Sequence, residues 1–424
     1  MGFLGLCHTA HDLLLDALQK PIYLRYICLF YLSHIPTFLD IHLCQLFDEP
    51  HTEPEEFRRG IDPNVDNPTQ CHDHSDVPQN DEDWPSLDSI LSFKLCVRER
   101  LVRVYDDLSS GKIRLTRNVA RVLFMTYKHE GLHLETLPYM LIQQAGSGTI
   151  PPPWDVLVAS WNTASKPASS AVVIEAPRSS GDNDPIKSFD VNGHVFGWDS
   201  ESLKWEVAVD AFRIEWKLIT NWEFFEFYKR AAQGIDDLDI NLNTKLKNKL
   251  TFPASWVVTA SGEIQVRTLY GPVPMKIARD WPVITTYDNL SAYAIVKGGR
   301  IPTEPESLVF RDKFVSGYES GANMGFRNWH PVPCTTGLED NGRKGHNGGV
   351  AEWTSTLWDR YDGVDLTFPT IRFSADFFDG VHNTTLGGSY AMIPRIADRR
   401  SFRNWWQRNY PFCWAGARVA YELN

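Results

Sequence analysis

Two kinds of patterning predict an α+β chain. Up to about residue 145, apolar residues recur every three or four positions, the period of helices with one buried face. Beyond about residue 200 they fall in short β-rich runs separated by turn residues. A length of 424 residues, 43% hydrophobic and 22% charged, suits a globular protein with two or three domains and excludes a wholly disordered chain.

The helical pattern covers residues 12–20, 22–47, 87–108 and 115–144, enough for a four-helix bundle. The connection 48–85 is polar and rich in Pro, Asp and His, too long for a plain turn, and is expected to pack over another part. Residues 166–185 shift to Ser, Pro, Ala, Gly and Asp, which predicts an exposed linker and a domain boundary. The expected domains are therefore 1–165, a linker 166–187, and 188–424. In the last of these, residues 207–214, 256–258 and 263–268 read as strands and 221–232 as a helix. No fixed-period repeat is visible, which disfavours a solenoid or propeller.

A formal charge of -11 argues against a general nucleic-acid footprint, which needs a clustered basic excess. The seven Cys are odd in number and irregularly spaced, so reduced thiols in a cytoplasmic protein are expected rather than a disulfide framework. No secretory signal is read at the amino terminus. The apolar stretch 26–39 is shorter than a bilayer span and contains His34, so it reads as a buried helix, and no membrane partner is expected. The 15 Trp read mostly as core, although ring faces also suit the holding of a cation.

The sharpest local signal is His129-Glu-Gly-Leu-His133-Leu-Glu135. Histidines four apart share a helix face and can offer two imidazoles to one metal. Glu135 lies about 200° around from His133, and reads as a support for another element rather than a ligand. Glu130 beside the first His keeps a zinc-peptidase motif open, and on spacing alone two ordinary helix histidines are an equally good reading. His34 interrupts a strongly apolar helix, where an imidazole is costly unless paired or metal-bound. Taken alone it reads better as a satisfied core histidine. Three neutral imidazoles would leave one side of a divalent ion open and its charge intact, which suits a thiolate. Cys71-His72-Asp73-His74 imitates a metal cluster, but its polar loop favours a solvated or loop-packing role.

The phrase Phe30-Tyr-Leu-Ser-His-Ile-Pro-Thr-Phe-Leu-Asp-Ile-His42, the motif His129-x3-His133-x-Glu135 and the block Gly60-Ile-Asp-Pro-Asn-Val-Asp-Asn-Pro68 resemble the iron(II)-dependent sulfoxide synthases of ergothioneine biosynthesis, fungal type. The carboxy-terminal half resembles the formylglycine-generating-enzyme fold, a C-type-lectin-like variant, through Phe212–Asn221, Arg300–Glu306, Gly349–Ser355, Leu386–Ser389 and Trp414–Arg418. The resemblance implies a DinB-like four-helix bundle followed by a formylglycine-generating-enzyme-like domain. It implies Fe(2+) held by His34, His129 and His133, and joins a cysteine or γ-glutamylcysteine thiol to N-trimethylhistidine (hercynine) with O2.

The same resemblance places Asn404 and Trp405 at the trimethylhistidine. Where relatives using γ-glutamylcysteine carry Asp, Trp406 stands here, which points to another thiol such as free cysteine. Arg98, Arg100 and Arg103 follow a helical spacing. Arg98 and Arg100 are favoured as a carboxylate clamp, with a solvated basic face pairing with Glu99, Asp106 and Asp107 as an equal reading. The family's loop Tyr has no equivalent: Phe368, Thr370 and Phe373 occupy the candidate positions, with Tyr361 the nearest substitute. That absence opens a thiol dioxygenase or altered-substrate relative as an alternative. A catalytically silent lectin-like binding protein is another. Formylglycine generation would need Cys334 and Cys413, of which Cys413 reads as core packing.

Overall fold

The computed structural model describes residues 28–50, 84–144, 171–174, 178–180, 197–198, 201, 206–233, 250–335, 344–359 and 377–423. Mixed helices and sheets bear out the α+β expectation. The chain forms two compact units, one of Met1–Leu137 with Pro185–Trp198 and the other of Pro138–Asp184 with Asp199–Asn424.

The first unit is built on α1 (Cys28–Phe47), α2 (Leu87–Ser109) and α3 (Arg117–Leu141), whose last turn enters the second unit. The expected helix at residues 12–20 and the loop 51–83 lie outside the described residues. Ser86 starts α2 by accepting from Ser89 N at 3.2 Å, satisfying one of the amides a helix start leaves open. The helix then buries Ile90, Phe93, Val97 and Val104 as a stripe at helical spacing. Pro36 sits inside α1 and removes one amide donor. The hydroxyls of Ser33 and Thr37 around it donate back to Leu29 O and Ser33 O, at 2.9 and 2.8 Å. Both hydroxyls are thereby buried without cost in lost hydrogen bonds.

Pairing between α1 and α2 includes charge. Arg100 of α2 contacts the buried Asp40 carboxylate of α1, and its other arm reaches Glu49 Oε2 at 2.5 Å. Its Nη1 also lies 3.3 Å from Cys44 Sγ.

The second unit carries twelve described strands: β1 (Ala171–Ile174), β2 (Arg178–Ser180), β3 (Glu206–Ala208), β4 (Phe212–Glu215), β5 (Trp256–Val258), β6 (Ile264–Val266), β7 (Val273–Pro274), β8 (Ala351–Leu357), β9 (His382–Leu386), β10 (Arg403–Gln407), β11 (Ala415–Gly416) and β12 (Ala420–Glu422). Its helices are α4 (Asn221–Gln233), α5 (Met275–Ala278), α6 (Tyr287–Val296), α7 (Glu304–Phe314) and α8 (Pro394–Ala397). The principal sheet runs β10-β9-β8-β11, antiparallel except for the β8–β11 pair, and a second runs β1-β4-β12. Residues 171–174 and 178–180, inside the Ser- and Gly-rich stretch read as a linker, are strands paired to β4 and β3.

All five residues of β9 are buried, as a strand covered on both faces must be. Between α7 and β4, Phe212, Ile214, Trp216, Val309 and Phe310 form an apolar cluster with Ala420. A capping box starts α7: Thr303 accepts from Glu306 N while Glu306 accepts from Thr303 N at 2.7 Å. Gly349 leads into β8 at φ +86°, where a Cβ would run into Asn323 Nδ2, so only glycine fits.

Buried charge in this unit is paired throughout the described residues that carry it. Glu352 on β8 meets Arg418 Nε at 2.8 Å and Arg311 Nη1 at 3.2 Å. Burial pushes its carboxyl up, but the two guanidiniums together hold it below its ordinary value. Arg403 and Glu304 form a two-pronged pair at 2.7 and 2.8 Å.

Candidate metal centre

Helix α1 supplies His34 and α3 supplies His129 and His133. Their ligand atoms all lie within 4.8 Å of one another. Ring centroids of His34 stand 5.0 Å from His129 and 5.1 Å from His133. The i, i+4 pair brings His129 Nε2 and His133 Nε2 to 3.1 Å. His34 and His129 are buried and His133 is half-buried.

Aromatic rings wall the cluster at helical spacing. Phe30, one turn before His34, stacks on it at 5.2 Å and 11°. Phe38, one turn after, stacks on His129 at 3.8 Å and 11°. Tyr31 meets His133 edge-on at 5.6 Å. Burial, followed by the neighbouring imidazoles, drives the His129 and His133 pKa values well below 6.5, so both rings are neutral near pH 7. Neutral imidazole is the ligand form.

The donor set fits a divalent transition metal. Two nitrogens about 2.1 Å from one ion, at angles between square and tetrahedral, stand about 3.0–3.4 Å apart, which matches the 3.1 Å separation. His133 Nδ1 is buried without a hydrogen-bond partner, and its Nε2 lies at hydrogen-bond distance from His129 Nε2, 3.1 Å. Glu130 is exposed while the histidines beside it are inward, so the general base of a peptidase motif is not brought to the cluster. Glu135 is buried, consistent with a supporting role away from the ligand face.

The remaining expected site residues are distributed as follows. Arg98 and Arg103 are exposed on α2, and Arg100 is engaged by Asp40 and Glu49. Asn404 and Trp405 are adjacent on β10, and strand alternation sends their side chains to opposite faces. Trp405 stacks on Trp358 at 4.3 Å and 18°, with Phe377 at 5.4 Å. On the other face Trp406 stacks on Tyr410 at 5.1 Å, with Tyr139 edge-on at 5.7 Å. Asn404 Oδ1 accepts from Trp405 N at 2.9 Å. Tyr361, Phe368, Thr370 and Phe373, and the motif 71–74, lie outside the described residues.

Sequence reading passed over Phe30 and Phe38 as ring walls, although their spacing of four from His34 was the available signal. It also passed over Lys128, fully buried beside His129 with its ammonium 5.8 Å from the Trp198 ring centroid. Among the described residues, no helix is long and apolar enough to cross a membrane.

Fold and site together define an α+β protein with a three-histidine cluster able to hold a metal ion. Comparison with known proteins is more particular. The chain is 34% identical to Ergothioneine biosynthesis protein 1 of Neurospora crassa, over 96% of this chain and 55% of that protein. It is 31% identical to the Schizosaccharomyces pombe protein of the same name, over 93% of this chain and 52% of that one. It is also 28% identical to Hercynine oxygenase of Mycobacterium tuberculosis, over 71% of this chain and 72% of that protein. The similarity expected from the motifs to the fungal ergothioneine biosynthesis proteins is thus borne out, and the chain spans about half the length of those two relatives. No family model matches the chain.

Proposed function

We propose that this chain is an iron(II)- and oxygen-dependent sulfoxide synthase that joins the sulfur of a cysteine-type thiol to hercynine in ergothioneine biosynthesis. The observation that carries the reading is the cluster of three inward imidazoles, in a chain similar to proteins named for ergothioneine biosynthesis and hercynine oxygenation. The proposed fold assignment is a DinB-like bundle over 1–165, a linker over 166–187 and a formylglycine-generating-enzyme-like domain over 188–424.

In this reading His34, His129 and His133 hold the iron. When bound, the metal supplies oxygen activation and a place for the thiolate. Thiol, imidazole C–H and O2 give the sulfoxide and one water: a carbon-sulfur bond forms, one oxygen atom ends on sulfur, and the other leaves with the thiol and ring hydrogens. Phe30, Tyr31 and Phe38 keep water from the imidazoles and fix their planes. Trp405 offers a ring to the trimethylammonium group, which has no hydrogen-bond donor and is best held by aromatic faces. Asn404, whose side chain leaves the opposite strand face, would serve the same substrate by holding the Trp405 amide, its Oδ1 accepting from Trp405 N at 2.9 Å. Arg98 is the proposed guanidinium for the thiol's carboxylate, Arg100 being held by Asp40 and Glu49.

Product analysis tests the proposal. The iron-loaded chain, supplied with hercynine, cysteine and O2, is expected to form the sulfoxide. Cysteine sulfinate as the main product would mark a thiol dioxygenase instead, the outcome favoured if Phe368, Thr370 and Phe373 leave the loop without its phenol. Trp405→Ala is expected to weaken hercynine binding more than tenfold, from the loss of about 2 kcal/mol of desolvated cation–ring attraction. Asn404→Ala, on the opposite strand face, is measured separately. Calorimetry indifferent to Trp405 and to substrate methylation would remove the Trp405 assignment, and binding unchanged in Asn404→Ala would remove that of Asn404.

A further inference from the structure

We propose that Glu304 and Arg403 are positioning residues that make the Trp405 ring receptive to a cation, through a four-member stack running Glu304, Arg403, Trp358, Trp405. The proposal rests on the reading of Trp405 as the ring that meets the trimethylammonium group.

The stack follows from strand geometry. Arg403 and Trp405 are two apart on β10 and share a face. The Trp358 ring enters between them. Trp405 covers one of its faces at 4.3 Å and 18°, and the Arg403 guanidinium carbon lies 4.6 Å from the same ring centroid. Side chains two apart on a strand stand about 7 Å from one another, room for one ring between them, so Trp358 is sandwiched. Trp358 is fully buried and Trp405 is not, so Trp405 is the member a ligand can touch.

Arg403 would be a poor neighbour for a cation site if its charge stood alone. It does not: Nε and Nη2 meet the two oxygens of Glu304 at 2.7 and 2.8 Å, with both side chains buried. Glu304 is itself fixed, opening α7 with its backbone N–H donating to Thr356 Oγ1 at 2.9 Å. A carboxylate at a helix start is favourably placed against the helix dipole. The pair therefore grips Trp358 from behind while presenting no net charge through the stack. The quaternary ammonium then meets a ring quadrupole rather than a repelling guanidinium.

This separates a charge effect from a packing effect. Glu304→Gln keeps shape and hydrogen-bonding capacity but leaves Arg403 uncompensated. A unit charge two stacked rings away, screened as protein interiors screen, alters a cation's affinity by about tenfold and a neutral ligand's hardly at all. The test is calorimetry on the full chain with two probes, hercynine and its uncharged analogue carrying carbon in place of the quaternary nitrogen. Glu304→Gln is expected to weaken hercynine about tenfold relative to the analogue. The double variant Glu304→Gln, Arg403→Gln, which buries no charge, is expected to recover the wild-type ratio. Should the single variant fail to fold, Arg403→Gln, which leaves the carboxylate without its guanidinium, is expected to strengthen hercynine relative to the analogue, and an unchanged ratio there would overturn the proposal. Equal losses for both probes, or a ratio not recovered in the double variant, would overturn the proposal. Unchanged hercynine binding in Trp405→Ala would instead remove the reading beneath it.

Discussion

Both units bury ion pairs, Asp40 with Arg100 in the first, but among the described residues only the first also gathers imidazoles into a cluster. In the second, Glu352 finds Arg418 and Arg311, Glu304 finds Arg403, and Glu201 finds Arg399 at 2.6 Å. In the first, three imidazoles converge with aromatic rings around them, and His133 Nδ1 has no hydrogen-bond partner. Closed ion pairs are complete as the chain folds. The imidazole cluster is a group of three donors that could hold a metal ion.

The contrast is sharpest under mutation. Glu352→Gln leaves Arg418 and Arg311 facing each other without a carboxylate, and is expected to cost about 3–5 kcal/mol of unfolding free energy in denaturant titrations. His133→Leu in metal-free protein is expected to cost about 1 kcal/mol, because the bond to His129 Nε2 is lost while an unsatisfied Nδ1 is removed with it. Comparable losses in the two variants would erase the distinction.

A titration of metal-free stability probes both units through histidines outside the cluster. His42 in the first unit is pushed down to about 4 by burial and then by the Arg121 cation. In the second, His346 is pushed down to about 4 by burial and then by Arg327. Unfolded histidine titrates near 6.5, so between pH 6.5 and 4 the unfolded chain binds protons that the folded one refuses. Stability should therefore be full above pH 6.5 and fall as pH drops towards 4, by about 3 kcal/mol or less per histidine. His42→Gln and His346→Gln should each flatten that slope. The smallest effect belongs to the rim: Glu422 meets Arg300 at 2.5 Å but is exposed, and Glu422→Gln should cost about 0.5 kcal/mol or less.

The cluster was legible in part: spacing put His129 and His133 on one helix face, whereas His34 taken alone read as a satisfied core histidine and joined them through the family resemblance. Phe30 and Phe38 were equally legible at four residues either side. Arg100 was not: its spacing suggested either a clamp or a solvated face, whereas Asp40 and Glu49 meet it through the packing of α2 on α1. The strands at 171–174 and 178–180 were hidden because composition averaged over the Ser- and Gly-rich stretch drowned Ala171–Ile174, a β-branched run of four. Asn404 and Trp405 were read as a pair from the resemblance. Their parting follows from strand period two once 403–407 is known to be extended.

The central claim is that the three imidazoles are one metal centre, and anaerobic ferrous titration tests it most directly. Wild-type chain is expected to take up one iron per chain, and His34→Ala, His129→Ala and His133→Ala should each lose stoichiometric binding while remaining folded. Equal iron uptake by all three variants and the wild type would contradict the account.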